Sequence, residues 1–268
     1  MNRIDFIRKK LVMLCLLCGT AAAAFAQGGA KTTQVKDLNF TVKGVNFTMV
    51  AVQGGSFTMG ATYEQIGDNY EDEEPTHKVT LGSYYIGKFE VTQELWVALM
   101  GENPSFYRSE KCPVECVSWN DCQQFIAKLN QLTGKKFRLP TEAEWEFAAR
   151  GGVKSREYKY AGSFDIDKVG ICGLDWNSGT RPVGSKAPNE LGIYDMSGNI
   201  YEWCSDWFGR YRAADQENPQ GAPSGTSRVM RGGSWFVPSN YARVSNRSGS
   251  DPDARFIHIG FRLAMSAQ

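Results

Sequence analysis

Short runs in which apolar and polar residues alternate dominate both ends of the chain. Residues 47–52 and 56–59 flank Gly54-Gly55, and this spacing predicts a β-hairpin. The same alternation predicts further strands at residues 78–81, 84–89, 228–235 and 256–264. We expect the late strands to pair with the early ones, so that the two ends of the domain meet in a small sheet.

Three other segments carry helical signals. Thr92 is a good N-cap for a first helix, and Ser118 with Asp121 resembles a capping box at the start of a second. Thr141 and Glu144 repeat that device at the start of a third. The second helix has an apolar stripe made of Phe125, Ile126, Leu129 and Leu132. These signals predict two or three helices.

Residues 151–227 show no strong hydrophobic period and predict long loops. Such a segment is unusual inside a compact domain unless a bound ion orders it. The whole chain has 28 glycines, 7 tryptophans and 11 tyrosines, a composition that favours short elements around aromatic-filled turns. No linker-like segment interrupts residues 47–268. They therefore predict one loop-rich α+β domain with small antiparallel sheets, preceded by a lead segment at residues 27–46.

The first 26 residues predict an export signal. Four basic residues precede a short apolar run at residues 11–17, which is followed by Ala24-Phe25-Ala26, an A-x-A site. Cleavage is expected after Ala26. The apolar run is too short to cross a bilayer, which takes roughly 18 residues. A lipoprotein cleaved at Cys18 is the alternative, although Leu17 stands where a small residue is usual.

The cysteine pattern follows from export. Five cysteines remain after removal of the signal: Cys112, Cys116, Cys122, Cys172 and Cys204. An odd number allows at most two disulfides and one free thiol, and the pairing stays open. Cys112 and Cys116 are close enough to be bridged or to bind a metal, but no second pair at zinc spacing accompanies them. Cys122 and Cys204 are interpreted as buried, small apolar residues.

Several motifs together identify a family. The most specific is Arg231-Gly232-Gly233-Ser234-Trp235-Phe236 near the C-terminus. Six further motifs follow the same order along the chain, at residues 52–60, 89–96, 113–122, 138–146, 192–203 and 259–263. In this order they resemble the formylglycine-generating enzyme, or sulfatase-modifying factor, family. The resemblance implies the fold of that family, a large variant of the C-type-lectin-like α+β architecture.

The resemblance also bears on catalysis. Active members of the family bind copper(I) with two cysteines and use O₂ to convert a substrate cysteine into formylglycine. The matching positions here are Val237 and Ala242, while Ser234 and Tyr241 are kept. Valine and alanine offer no lone pair to soft copper(I), so copper is not expected and no catalytic residue is predicted. A second branch of the superfamily holds iron with three histidines, and this chain has 2.

The family resemblance implies calcium as well. In the first site the ligands would be the side chain of Asp195, the backbone oxygens of Gly198 and Ile200, and the carboxylate of Glu202. A second family site matches in part Asp175 and Asn177. The alternative for Asp195 is a turn residue. The alternative for Glu202 is a buried salt bridge to an arginine.

Three functions remain open at this stage. The first is a non-catalytic exported protein with a structural or interaction role in the cell envelope, as in other catalytically empty members of the family. The second is a formylglycine-generating-type oxidase that acts on protein cysteine with an altered site, and the third is a lectin-like binding module.

Partners follow from charge and from the loops. The formal net charge of +1 and the lack of a basic tract give no electrostatic drive towards nucleic acid. Ser234, Tyr241 and Asn199 are the candidates for a groove that binds an envelope or extracellular protein or glycan, together with the loops of residues 151–227. The alternative for these three residues is a purely structural role in packing around the glycine turn.

Overall fold

The computed structural model describes residues 36–267, so the predicted signal peptide and cleavage site lie outside the described part of the chain. The helices of the described residues are α1 (Gln93–Met100), α2 (Trp119–Thr133), α3 (Glu142–Ala149) and the single turn α4 (Ile166–Val169). The first three begin where the capping signals predicted. The Thr92 hydroxyl accepts from the Leu95 amide, and Ser118 with Asp121 closes a capping box.

Twelve strands arrange the described residues into three small sheets. The first sheet has the order β1-β2-β5-β12-β6, in which β1 (Leu38–Val42), β2 (Val45–Val52), β5 (Tyr84–Gly87), β6 (Phe137–Arg138) and β12 (Ala264–Ser266) are antiparallel neighbours. The pairing of β12 with β5 confirms that the C-terminal end returns to the early strands. Strand β1 lies in the predicted lead segment and completes the edge of this sheet.

The other two sheets contain the remaining strands. One has the order β10-β9-β7-β11, formed by β7 (Tyr201–Trp207), β9 (Arg228–Arg231), β10 (Arg247–Ser250) and β11 (Ile259–Gly260). The other has the order β3-β4-β8, formed by β3 (Gly55–Met59), β4 (His77–Leu81) and β8 (Gln216–Glu217). The α+β prediction with small, mainly antiparallel sheets is therefore confirmed.

The prediction of a hairpin around Gly54-Gly55 was wrong. Strand β2 pairs with β5, whereas β3 pairs with β4, so the two strands that flank the glycines belong to different sheets. The chain crosses between the sheets at Gly54, where an added Cβ atom would lie 2.5 Å from the carbonyl oxygen of Leu81. Glycine is needed here for close backbone approach and does not form a tight turn.

Two large apolar clusters, a small third one and a set of buried ion pairs make up the interior of the described residues. One cluster surrounds α1 and α2, where the Trp96 and Phe125 rings stack at 5.3 Å. The other surrounds α3, where Trp145 and Phe147 cluster with apolar residues of β2, β4, β5, β7 and β9. Between the elements lie fully buried arginines, each bound to a glutamate, of which Arg231 and Arg243 are examples. These pairs tie the long loops to the helices and strands.

Candidate functional site

The turn at Gly232 and Gly233 folds the chain back on itself. Both residues have positive φ angles, of 95° and 70°. An added Cβ atom at Gly233 would lie 2.9 Å from the Cα atom of Ala242, so the turn packs directly against the 3₁₀ turn at Ser239–Ala242. Only glycine combines this backbone conformation with such a close approach. The turn thus places Ser234 beside the segment that carries the two altered family positions.

The two positions that the family resemblance matches to the catalytic cysteines have apolar surroundings here. Ala242 is fully buried and packs in a small cluster with Tyr160 and Val169. Val237 is half-buried against the larger apolar cluster, and its carbonyl oxygen accepts from the Gly173 amide at 2.8 Å. Neither side chain has an atom that binds a metal. This part of the site serves packing.

Two of the three groove candidates lie inside the fold. Ser234 is 0% exposed, and its hydroxyl has no hydrogen-bond partner within residues 36–267. Asn199 is 1% exposed and donates to Glu90 at 3.1 Å, while its Oδ1 accepts from the Arg181 amide at 3.0 Å. Tyr241 is half-buried and stacks on the Tyr70 ring at 5.7 Å. Of the three, Tyr241 is the one that a macromolecular ligand can reach.

A group of exposed aromatic rings, which the sequence reasoning missed, lies next to the turn. Phe106, Trp176 and Phe236 are 65%, 55% and 41% exposed. Trp176 and Phe236 meet edge to face at 5.3 Å, and both contact the buried Trp235 ring. Tyr107 joins Phe106 to this group, because its ring lies 5.4 Å from Trp235. We call Phe106, Trp176 and Phe236 the aromatic face.

The aromatic face is fixed from below by hydrogen bonds. The Tyr107 hydroxyl donates to the backbone oxygen of Trp176, and the Leu174 amide donates to the Trp235 oxygen at 2.8 Å. The Trp235 indole donates to the Ile257 oxygen at 3.4 Å. Phe236 was detectable in the sequence because it follows the Gly-Gly-Ser-Trp motif directly. Phe106 and Trp176 lie in loops without a period, so no local signal indicated them.

The predicted calcium ligands lie around a buried acidic cluster. Asp195 has a positive φ of 59°, and its Oδ2 accepts from the Gly184 amide at 2.6 Å. Glu202 binds Arg262 through both carboxylate oxygens, at 2.6 Å each, and also accepts from the Trp145 indole. The salt-bridge alternative for Glu202 therefore describes its contacts here. A calcium ion at this place would depend on Asp195 and on the backbone oxygens of Gly198 and Ile200.

The charge balance of this cluster favours a cation or a proton. Glu90, Asp195 and Glu202 are three buried carboxyls, and Arg262 compensates one of them. Oε2 of Glu90 has no hydrogen-bond partner among the described residues. Burial, with the charges of Asp195 and Glu202, raises the pKa of Glu90, and burial raises the pKa of Asp195. Either a proton on one of these carboxyls or a bound cation would balance the charge of this cluster.

Side-chain geometry adds two limits to metal binding. Within residues 36–267 no three His, Cys, Asp or Glu side chains converge as a metal site, so a calcium site would use mainly backbone oxygens. Asp175 and Asn177 lie on an exposed loop, where the backbone oxygen of Asp175 accepts from the Ser178 amide in a turn.

All five described cysteines are unpaired. Three of them are buried, namely Cys112, Cys122 and Cys204.

Comparisons with known proteins agree with this architecture. Residues 37–267 match the Sulfatase-modifying factor enzyme 1-like domain. The chain is 32% identical over 310 aligned positions to the chaperone protein LppX of Paenibacillus barcinonensis, with 97% of this chain and 100% of the relative covered. It is 36% identical over 192 positions to the formylglycine-generating enzyme of Thermomonospora curvata, with 63% of this chain and 60% of that enzyme covered.

A solved structure gives the same result at the level of the fold. Treponema denticola variable protein 1 has a TM-score of 0.79 and 32% identity, with 87% of this chain and 100% of that chain covered. The family match spans nearly all of the described residues, and the resemblance inferred from the sequence motifs is confirmed. The chain belongs to the sulfatase-modifying factor enzyme 1-like domain family.

Proposed function

We propose that this protein is a non-catalytic member of its family that binds polypeptide in the cell envelope or outside the cell, through the aromatic face. The observation that carries the proposal is the contrast between two neighbouring features. The cysteine positions are filled by the apolar Val237 and Ala242, whereas Phe236, in the same turn, is exposed together with Trp176 and Phe106. The metal ligands are replaced and the adjacent surface is well suited to recognition.

Physical chemistry supports a binding role for this surface. Exposed aromatic rings that touch one another form an apolar patch, which in soluble proteins often marks an interaction site. Rings have few rotatable bonds, so they lose little conformational entropy on binding. The hydrogen bonds below Trp176 and Trp235 fix the loops that carry them. Rigid loops of this kind are the usual position of binding residues.

A polypeptide ligand is favoured by one relative. The protein that this chain matches over that relative's full length is named a chaperone. Chaperones of the holdase type bind unfolded chains preferentially. Export rests on the predicted signal at residues 1–26. Within residues 36–267 no helix is long and apolar enough to cross a membrane. A glycan ligand and an altered oxidase remain the competing functions, and both are outcomes of the tests below.

The binding test uses residues 27–268 and a permanently unfolded probe, reduced and carboxymethylated α-lactalbumin. We expect Trp176→Ala with Phe236→Ala to weaken binding of the probe at least about tenfold, or 1.4 kcal/mol. Leu132→Ala is the matched control, because Leu132 is an apolar residue of α2 that is 54% exposed and lies outside the aromatic face. Equal binding by the wild type and the double variant would contradict the proposal. Binding of glycans on an array, with no binding of the probe, would favour the lectin-like function.

The catalytic test is separate. With copper and O₂, the protein is expected not to convert a Cys-x-Pro-x-Arg peptide, because no thiolate stands at either family position. Formylglycine, detected by mass spectrometry above a no-protein control, would establish the oxidase instead. The variant Val237→Cys with Ala242→Cys is expected to gain copper(I) binding, since it restores two soft ligands.

A further inference from the structure

A cleft lies on a different part of the molecule from the aromatic face. It has a volume of about 230 Å³ and lies between the N-terminus of α3, the end of β7 and the loop that follows β7. Its lining includes the charged and aromatic side chains of Glu142, Asp206, Arg210, Tyr211, Arg212 and Arg247. No residue of the aromatic face contributes to it. The cleft is therefore independent of the polypeptide-binding proposal.

The two carboxylate oxygens of Asp206 differ in their contacts. The residue is 3% exposed, and Oδ2 accepts from the Glu142 amide and the Ser205 hydroxyl, both at 2.9 Å. Oδ1 makes no hydrogen bond to any residue within 36–267. The loop approaches this oxygen at Gly221, where an added Cβ atom would lie 2.8 Å from Oδ1. Oδ1 stays open to the cleft, where a hydrogen-bond donor from water or from a ligand can reach it.

The other acidic side chain of the cleft is already satisfied. Glu142 binds Arg247 through both oxygens, at 2.8 and 2.7 Å, and its Oε1 also accepts from the Tyr211 hydroxyl. Arg210 and Arg212 differ, because both are exposed and neither has a hydrogen-bond partner in the described residues. The free polar groups of the cleft thus include one carboxylate oxygen of Asp206 and the guanidinium groups of Arg210 and Arg212.

We propose that this cleft binds a small carboxylate that carries a neighbouring hydrogen-bond donor. The ligand carboxylate would pair with Arg210 and Arg212, whose planar guanidinium groups match a carboxylate. The hydroxyl or ammonium donor would reach Oδ1 of Asp206. A volume near 230 Å³ suits a monosaccharide or an amino acid and is below the range of drug-sized ligands. Sugar acids and α-amino acids share this chemistry.

The electrostatics of Asp206 agree with this geometry. Burial, and after it the charge of Glu142, raises the pKa of Asp206 to about 7. Burial and the Glu142 charge therefore disfavour the ionised form of this carboxyl relative to its neutral form. A donor from a ligand would supply the missing hydrogen bond. Strongly shifted carboxyls inside clefts are more frequent at functional sites than elsewhere.

The test is isothermal titration calorimetry of residues 27–268 with D-galacturonate, with L-alanine and with neutral D-galactose. We expect one of the two acids to bind and galactose not to bind. Binding of galacturonate assigns the cleft to sugar acids, and binding of alanine assigns it to amino acids. If neither acid binds, or if galactose binds equally well, the proposal is wrong.

Two variants separate ligand binding from folding. Arg210→Gln with Arg212→Gln removes exposed side chains that hold nothing in the fold, and it is expected to weaken binding of the acid at least tenfold. Lys135→Gln with Lys136→Gln is the matched control, since both lysines are exposed on the turn after α2. Asp206→Asn keeps an acceptor for the Glu142 amide but turns a donor towards the cleft, so it is expected to lose the ligand and keep its melting temperature. Unchanged affinity in the arginine variant would refute the proposal, even if the asparagine variant fails to fold.

Discussion

The interior beneath the glycine turn and the surface above it have opposite chemistry. Inside, Arg231, Arg243 and Arg262 are fully buried, and each is bound to a glutamate that is itself buried. Outside, Trp176 and Phe236 belong to a patch of exposed aromatic rings. Charged groups usually face water and aromatic rings usually pack in cores, so these particular arginines and rings depart from both preferences.

The difference shows how a loop-rich fold obtains a fixed surface. Buried arginine has several donors and can bridge segments that share no regular structure. Arg243 binds Glu73 and the Asn240 oxygen, and Arg262 binds Glu202 and the Gly87 oxygen. Such pairs add little stability over apolar side chains of equal volume, and we infer that their role here is to fix one arrangement of the loops. The aromatic face can then be exposed without the loops collapsing.

The largest effect is expected when a buried pair loses one partner. Arg243→Leu leaves Glu73 buried without its cation, and we expect the free energy of unfolding to fall by about 3–5 kcal/mol. Urea denaturation followed by tryptophan fluorescence measures the change. In the double variant Arg243→Leu with Glu73→Leu the buried charge is gone, so its cost should be clearly below the sum of the two single costs. A strictly additive result would mean that the pair is not coupled.

Sequence reasoning succeeded where the signal is local. The caps at Thr92, Ser118 and Thr141 start their helices as predicted, because capping depends on residues three positions apart. It failed where contacts are distant. The partners of β2 and β3 depend on close approach at Gly54, and the Arg243–Glu73 pair joins residues 170 positions apart.

The candidate site was predictable to the same extent. The sequence predicts that Val237 and Ala242 stand at the family's cysteine positions, and the structure places both side chains among apolar residues. Whether Ser234 and Asn199 face solvent or the interior depends on how the turn packs, which no local pattern encodes. The exposure of Trp176 depends on the same packing, so the aromatic face could be identified only from the structure.

An intermediate effect is expected from calcium, which the acidic cluster around Asp195 is proposed to bind. A ligand that binds only the folded state stabilises it by about 2.7 kcal/mol at 100 times its dissociation constant. A chelator should therefore lower the melting temperature of the wild type, and Asp195→Ala should be insensitive to the chelator. Differential scanning fluorimetry with added calcium measures both. Identical wild-type melting curves with chelator and with calcium would leave Asp195 with a role in the turn alone.

A smaller effect is expected from titration of the interior pairs. Burial alone would raise the pKa of Glu73, but hydrogen bonds from Arg243 and Ser245 and the Arg243 charge outweigh it, so the pKa lies below the usual 4.5. A depressed carboxyl stabilises the fold above its unfolded pKa and loses that contribution as the pH falls through its folded pKa. Stability should thus decline below about pH 4.5, by at most about 1.4 kcal/mol per unit of depression. Urea denaturation at several pH values measures this decline. In Glu73→Gln the contribution of Glu73 to the fall of the free energy of unfolding with decreasing pH should be missing. An unchanged pH dependence would mean that other carboxyls cause the decline.

The smallest effect is expected on the surface, and two adjacent residues sharpen the comparison. Phe236 is 41% exposed, so Phe236→Ala should cost about 1 kcal/mol or less in the free energy of unfolding. Trp235 is 0% exposed and packs between Tyr107 and Phe236, so Trp235→Ala should cost about 3–5 kcal/mol. Urea denaturation of both variants under one set of conditions gives the ratio. Similar costs would mean that Phe236 belongs to the core, and the aromatic face would then lose its central ring.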